Sequence, residues 1–454
     1  MNPINPERMR WLAKPGKAGS KCLLILLCLL LFFASGAGAD DTDADIFLTD
    51  DELLLGDASL FSIGGHYKNL ITYFSTDSFM DKTGKPPEQK HLISDINRIR
   101  LSAEIRFSEN FLLHADIDNE IIAANYVGSK TYDLYWRQSG YNDLYDPSAD
   151  TGFSGDGFYR INLHRFYAKL AAGNFTITLG RQQIRFGSGR LWNPLDMLNP
   201  ISPTFVEGAE DQQGTDAARL EYYPGESTEI AFVYAPKRVD DELNSSTFAN
   251  KNTNVISRIR TTVKDADLAI LGGRVARRTL GGMDIAAIVR DGMLRGSFLL
   301  AFPDDGSSYV LGSAGYEYHF AGGLYCMVEY FYNQSAMNRN EELSAAYAER
   351  LIFGMNEERY SLLANQFLTF NRHYLGIALG YDFTPLMRGD FFSIADIEGR
   401  GLFFSPSLKY SLSQNLDISL TAMMGYIFKG SDHTSDFSEF EDHPLMSATL
   451  QWYF

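Results

Sequence analysis

Side-chain polarity in this chain repeats every second residue through segment after segment, most cleanly in the last nine positions. Met446, Ala448, Leu450, Trp452 and Phe454 share one parity; Ser447, Thr449 and Gln451 share the other. Successive side chains of a strand point to opposite faces, so this segment has one apolar and one polar face. An alternating strand closed by aromatics, with a terminal Phe, is the expected ending of an outer-membrane β-barrel. The alternative is the edge strand of a soluble sandwich.

The other end reads as a secretion address. Arg8, Arg10, Lys14, Lys17 and Lys21 precede the apolar run Cys22–Phe33, and Ala37–Gly38–Ala39 supplies an A-x-A cleavage site before Asp40. The apolar run is too short for the roughly 20 residues of a membrane-spanning helix. Residues 1–39 are therefore expected to be a signal peptide, 40–56 a periplasmic N-terminal segment, and 57–454 the barrel. Cleavage would leave Cys326 alone, which excludes an intrachain disulfide, and no C-x-x-C-H motif holds a haem. No cofactor and no metal are expected.

The whole chain carries a formal charge of −17. The first 39 residues hold five basic side chains against Glu7, so the remainder is at −21. That acidity argues against a nucleic-acid partner. Turn signals divide residues 57–454 into eighteen alternating segments, with sixteen as the other count because the connections near 278–281 and 397–400 are weakly marked. An even number of antiparallel strands forms a closed up-and-down transmembrane barrel with both termini on the periplasmic side. Turns such as Ser108–Glu109–Asn110 and Ala172–Gly173–Asn174 fall on one rim, and the long segments 123–158, 187–214 and 334–372 fall on the other. Within the last of these, 341–353 is helix-prone.

Alternation also assigns faces. On 96–107, Arg98, Arg100, Glu104 and Arg106 oppose an apolar set; on 110–122, the polar set includes His114, Asp116, Asp118 and Glu120. Charges facing lipid at the midplane cost roughly 2–4 kcal/mol for Arg or Lys, so these are expected to face a water-filled lumen. As hairpin neighbours the two columns should pair across the ladder. From 159 onward the expected lumen set is basic: Arg160, Lys169, Arg181, Arg185, Arg219, Arg258, Arg260, Arg274, Arg277 and Arg295, with few acids such as Glu221. A one-sign lumen concentrates counter-ions, and the planar guanidinium reads carboxylates and phosphates in bidentate fashion. Broken alternation at 164–166 and 180–182 predicts a bulge or a change of conformation at each.

Gly180-Arg181-Gln182 runs on through Gly187-Ser188-Gly189-Arg190 to Asn193-Pro194-Leu195-Asp196. Prolines cannot continue a ladder, so this stretch leaves the wall, either folding inward as a constriction or forming an ordinary outer loop. The pattern resembles the outer-membrane porins related to the alginate-export protein. That resemblance implies passive transport of anionic solutes, uronic-acid oligomers or polymers among them, with Arg181, Arg185 and Arg190 beside the permeating anion. The expected partners are outer-membrane lipid, an anionic small-molecule or polysaccharide solute, and a periplasmic protein. Two other functions are compatible with an exported barrel. A barrel could sheathe a separate periplasmic partner such as a multihaem carrier. A rim-active hydrolase would need a nucleophile motif, and no histidine lies near a serine in one, so the chain is read as a non-enzyme. Asp146, Asp150 and Asp156 do not have the spacing of an EF-hand.

Overall fold

A computed structural model describes residues 60–81, 83, 88–132, 144, 147–154, 156–198, 214–237, 253–304, 306–353, 363, 367–430 and 433–454. The expected signal peptide and N-terminal segment lie outside the described residues, as does Asp146 of the acidic loop. The strands of the first half are Phe61–Phe79 (β1), Glu88–Ser108 (β2), Phe111–Ala124 (β3), Ser148–Ser154 (β4), Gly157–Ala172 (β5), Phe175–Gln182 (β6), Thr215–Gly225 (β7), Thr228–Ala235 (β8) and Asn254–Val263 (β9). Those of the second half are Ala266–Val275 (β10), Arg278–Val289 (β11), Gly292–Pro303 (β12), Tyr309–His319 (β13), Leu324–Asn333 (β14), His373–Thr384 (β15), Met387–Asp396 (β16), Gly401–Ser413 (β17), Leu416–Ile427 (β18) and Leu445–Tyr453 (β19).

Each strand pairs antiparallel with the next, and β1 pairs with β19 from His66↔Tyr453 to Tyr73↔Met446, so the sheet closes. β3 pairs directly with β5, which leaves β4 outside the ring and eighteen strands within it. β4 takes a place that β6 gives up. β6 pairs with β5 only over Phe166–Ala172, and β4 lies along Gly157–Asn162 beyond it. The predicted bulge is real: Asp116 opposes Arg165 and Ile117 opposes Leu163, leaving His164 as the extra residue. The second irregularity is also present, since Gly180 has φ +122° and β6 ends two residues later.

One rim carries only tight turns. At the other, the long connections include an α-helix, Glu341–Phe353 (α1), where the sequence is helix-prone. Two connections at this long-loop rim are nevertheless short. Ala276–Arg277 joins β10 to β11 with both residues at positive φ, and 397–400 joins β16 to β17. Among the described residues no helix is long and apolar enough to cross a membrane.

The outward positions are apolar and open. Ile71, Ile99, Ile177, Phe232, Ile270, Phe298, Val328, Leu379 and Leu420 all lie on the outside with at least a third of their surface exposed. Met446, Trp452 and Phe454 join them, as the terminal alternation requires. Inward positions are of two kinds. On β2 and β3 they are charged toward the turn rim, while Leu92, Ile96, Ile122 and Phe158 of β2, β3 and β5 are buried in a smaller apolar cluster toward the long-loop rim. From β8 round to β18, toward the long-loop rim, they include Val233, Ile256, Leu271, Leu299, Leu311, Phe331, Phe403 and Met423, all buried in one cluster. The bore is therefore not water-lined throughout, contrary to the expectation from alternation alone. Its apolar sector is covered by a segment of the chain itself.

Candidate pore constriction

That segment follows β6. Ile184, Phe186, Trp192, Leu195, Met197 and Leu198 are buried in the same cluster as the inward apolar residues of β8–β18, so the Gly-Pro-rich stretch folds into the barrel. Local chemistry makes the fold-back. Gly187 has φ +87°, and a Cβ there would stand 2.2 Å from the Asn193 side chain. Asn193 Nδ2 donates to the Phe186 carbonyl at 2.7 Å, closing the loop on itself. At the far side the segment presses on the backbone of β15: a Cβ at Gly376 would meet Leu191 at 2.2 Å. Trp192 stacks on Phe331 with ring centroids 5.3 Å apart.

Three inward carboxylates hold the segment across the bore. Ser188 donates through its backbone N–H at 3.1 Å and its Oγ at 3.0 Å to Asp284 of β11. Glu329 of β14 accepts the backbone N–H groups of Arg190 at 2.9 Å and Trp192 at 2.7 Å. Glu317 of β13 accepts Arg190 Nε at 3.0 Å and Nη2 at 3.1 Å, and also Arg295 Nη2 at 2.6 Å. The sequence reading missed these three acids. Their signal was available: a lone carboxylate among Met327, Phe331 and other inward apolar residues has to be satisfied by a partner.

The predicted columns pair as expected on the first hairpin. Arg98 Nε donates to Glu120 at 2.6 Å, and Arg100 reaches both oxygens of Asp118 at 2.6 and 2.8 Å. Arg106 pairs with Glu104 at 2.6 Å, and His114 lies 3.1 Å from Asp116. From 159 onward acids are not scarce, which corrects the reading of a sparsely compensated basic cluster. Arg160 pairs with Asp150 of β4. Arg219 pairs with Glu221, Arg258 with Glu229 at 2.5 Å, Arg260 with Asp267 at 2.8 Å, and Arg185 with Asp196 at 3.4 Å. Glu221 was named from the sequence, but Glu229 and Asp267 were not, because a partner across a ladder need not be near in sequence.

Two assignments change outright. Arg181 is 1 % exposed and fixed to Asp216 by bonds of 2.9 and 2.8 Å, with the Leu144 backbone N–H capping the same carboxylate. It braces the wall where β6 ends and presents no edge to the bore. Arg274 shares its parity with Leu268 and Ile270, which face outward, and it pairs with Asp304 near the long-loop rim. Lys169 faces inward, opposite Leu112 and Thr178. Arg277 sits in the β10–β11 turn rather than on a strand.

Three of the pairs share an asymmetry that Arg258–Glu229, at 11 % and 11 %, and Arg160–Asp150, at 24 % and 47 %, do not have. The Arg185 side chain is 33 % exposed and that of Asp196 3 %; for Arg219 and Glu221 the values are 18 % and 2 %, and for Arg190 and Glu317 20 % and 8 %. The carboxylate lies against the wall and the longer guanidinium extends over it, so water meets mainly the cation.

No family model and no curated protein matches the chain, so the alginate-export resemblance rests on the Gly180–Asp196 pattern alone. Solved structures do match. The chain is similar to Acinetobacter baumannii OccAB2, with a TM-score of 0.50 at 11 % identity over 86 % of this chain and 98 % of that one. It shares that fold. Similar structures also include Pseudomonas aeruginosa OccK7 (OpdD), at 12 % identity, TM-score 0.48, and 86 % and 98 % coverage. A Rhodopseudomonas blastica porin triple mutant matches at 9 % identity, TM-score 0.43, over 87 % of this chain and all of that one.

Proposed function

We propose that the chain is a passive channel of the bacterial outer membrane, selective for small anionic solutes, with the segment 183–198 as its constriction. The observation that carries the reading is a closed ring of eighteen strands, apolar outside, with that segment fixed across its bore. The outward apolar belt suits lipid, and tight turns on one rim with long loops on the other are the asymmetry of such barrels. The long-loop rim is then the cell exterior and the turn rim the periplasm.

Pairing does not abolish the preference for anions. At Arg185, Arg190, Arg219 and Arg295 an ion in the lumen meets the guanidinium first, and the partner carboxylate is the more buried of the two. Arginine's flat fork suits carboxylate and phosphate groups, which extends the reading to uronic-acid-type oligomers. The sheath alternative gains no support from a bore that the inward segment already partly fills.

Planar-bilayer recording in a salt gradient tests the proposal. A unit charge 4 Å from an ion in water contributes about 1 kcal/mol, so changing Arg219, Arg258 and Arg295 together to Gln should lower the anion-to-cation permeability ratio several-fold. An unchanged reversal potential would remove these residues from the filter, and a silent bilayer would remove the channel.

A further inference from the structure

The outward face is apolar over most of the ring, and apart from the Arg274–Asp304 pair near the long-loop rim its charged and amide groups gather in one place. On β1, β2, β3 and β5 the outward positions below the long-loop rim carry a connected polar patch. Tyr67 Oη donates to Asn97 Oδ1 at 2.6 Å, and Asn69 Nδ2 donates to Asp95 Oδ1 at 2.6 Å. Asn97 Nδ2 donates to the same Asp95 oxygen at 3.1 Å, and on the adjoining strands Tyr159 Oη donates to Asn119 Oδ1 at 2.8 Å. Parity places these groups outside, since Ile71, Ile93, Ile99 and Ile121 of the same face are 43–48 % exposed.

Depth follows from the aromatic border. Tyr73 and His91, hydrogen-bonded at 3.0 Å, face outward near the long-loop rim. Asn69 and Asp95 each lie four residues nearer the periplasm, about 10 Å deeper at the usual strand rise and tilt. The patch is thus within the apolar belt, where hydrocarbon offers no hydrogen bond. Its internal bonds also leave two groups open among the described residues: the second oxygen of Asp95 and the Nδ2 donor of Asn119. Beside Asp95 in the same register row stand Ala123 and then Gly157, so another surface can approach the carboxylate closely.

We propose that this patch is the contact through which copies of this chain assemble side by side in the membrane. The patch offers both an open donor and an open acceptor, so a second copy presenting the same face supplies what each lacks, as a symmetric assembly requires. The proposal rests on the membrane-channel reading, because only in lipid is an open carboxylate at this depth in need of a partner.

Single-cysteine variants in outer membranes test it, with Cys22, Cys28 and Cys326 changed to alanine. Asn97→Cys treated with a short bismaleimide should give cross-linked oligomers of this chain. Ile377→Cys, outward on β15 across the ring, should not. The pair Asp95→Leu and Asn97→Leu should reduce the mass of the detergent-extracted assembly to that of one chain, while heat-shifted gel mobility shows that the barrel is folded. A folded, membrane-embedded wild type of single-chain mass, or cross-linking of Asn97→Cys no stronger than that of Ile377→Cys, overturns the assembly and leaves the channel standing. An oligomer indifferent to the leucine pair shows that assembly uses another face and overturns it too. Recovery of the folded protein in the soluble fraction overturns both readings.

Discussion

Asp436 shows how a single buried carboxyl couples the outer loops to pH. It lies in the connection between β18 and β19, where burial pushes its pKa up to about 7, with the Asp396 carboxylate acting in the same direction. The Tyr374 hydroxyl and the Phe370 backbone N–H donate to it and oppose the rise. Because the packed state holds the proton more tightly than an open loop would, packing is strongest at low pH. That advantage declines as pH rises from about 4, the ordinary carboxylate value, through 7. Protection of 433–440 against hydrogen exchange, taken relative to the intrinsic rate at each pH, should therefore fall across that window. Asp436→Asn, which is uncharged throughout, should flatten the profile. An equally steep profile in the variant would assign the effect to another group. Arg181 makes the opposite kind of point at the same scale. Leaving Asp216 buried without its guanidinium should lower stability by about 3–5 kcal/mol, far more than loss of any lumen-exposed arginine, and denaturant midpoints of Arg181→Met against Arg260→Met would show the difference.

At the scale of elements, the inward segment is held by contacts of two types that fail separately. Trp192 and its stack on Phe331 give it apolar adhesion, while Glu329 orients its backbone. Trp192→Ala should cost about 3–5 kcal/mol of local packing and raise single-channel conductance by loosening the constriction. Glu329→Gln keeps one acceptor oxygen and should change conductance less. Equal currents from wild type and Trp192→Ala would mean that the segment does not set the bore. Elements are also where the sequence spoke unevenly. Period-two alternation marked every strand of the ring, and broken alternation marked both the His164 bulge and the end of β6. It could not mark β4, whose seven residues follow no apolar period because they border a polar loop. Nor could it say whether 183–198 turned inward. That choice depends on apolar residues of β8–β18 that are a hundred or more positions away for the most part, and on Glu317 and Glu329, which look ordinary until the segment reaches them.

For the molecule as a whole, closure is what makes a weakly hydropathic chain suited to lipid. Mean hydropathy is only −0.18, yet the outward face of the ring is apolar over most of its area. The strand count and the rim asymmetry were legible because they follow from backbone geometry and turn chemistry, which are local. Lumen electrostatics were only half legible, since parity gives the side of a charge but not its partner. The partial replacement of β6 by β4 has one more outcome. By drawing its sixth strand inside after eight residues, the barrel would expose a row of backbone amides on β5 to hydrocarbon. The short ribbon Ser148–Ser154 covers Gly157–Asn162 at that gap. A barrel that withdraws thread from its own fabric needs a darn, so the seam where the two meet is where deletions should make the wall leak.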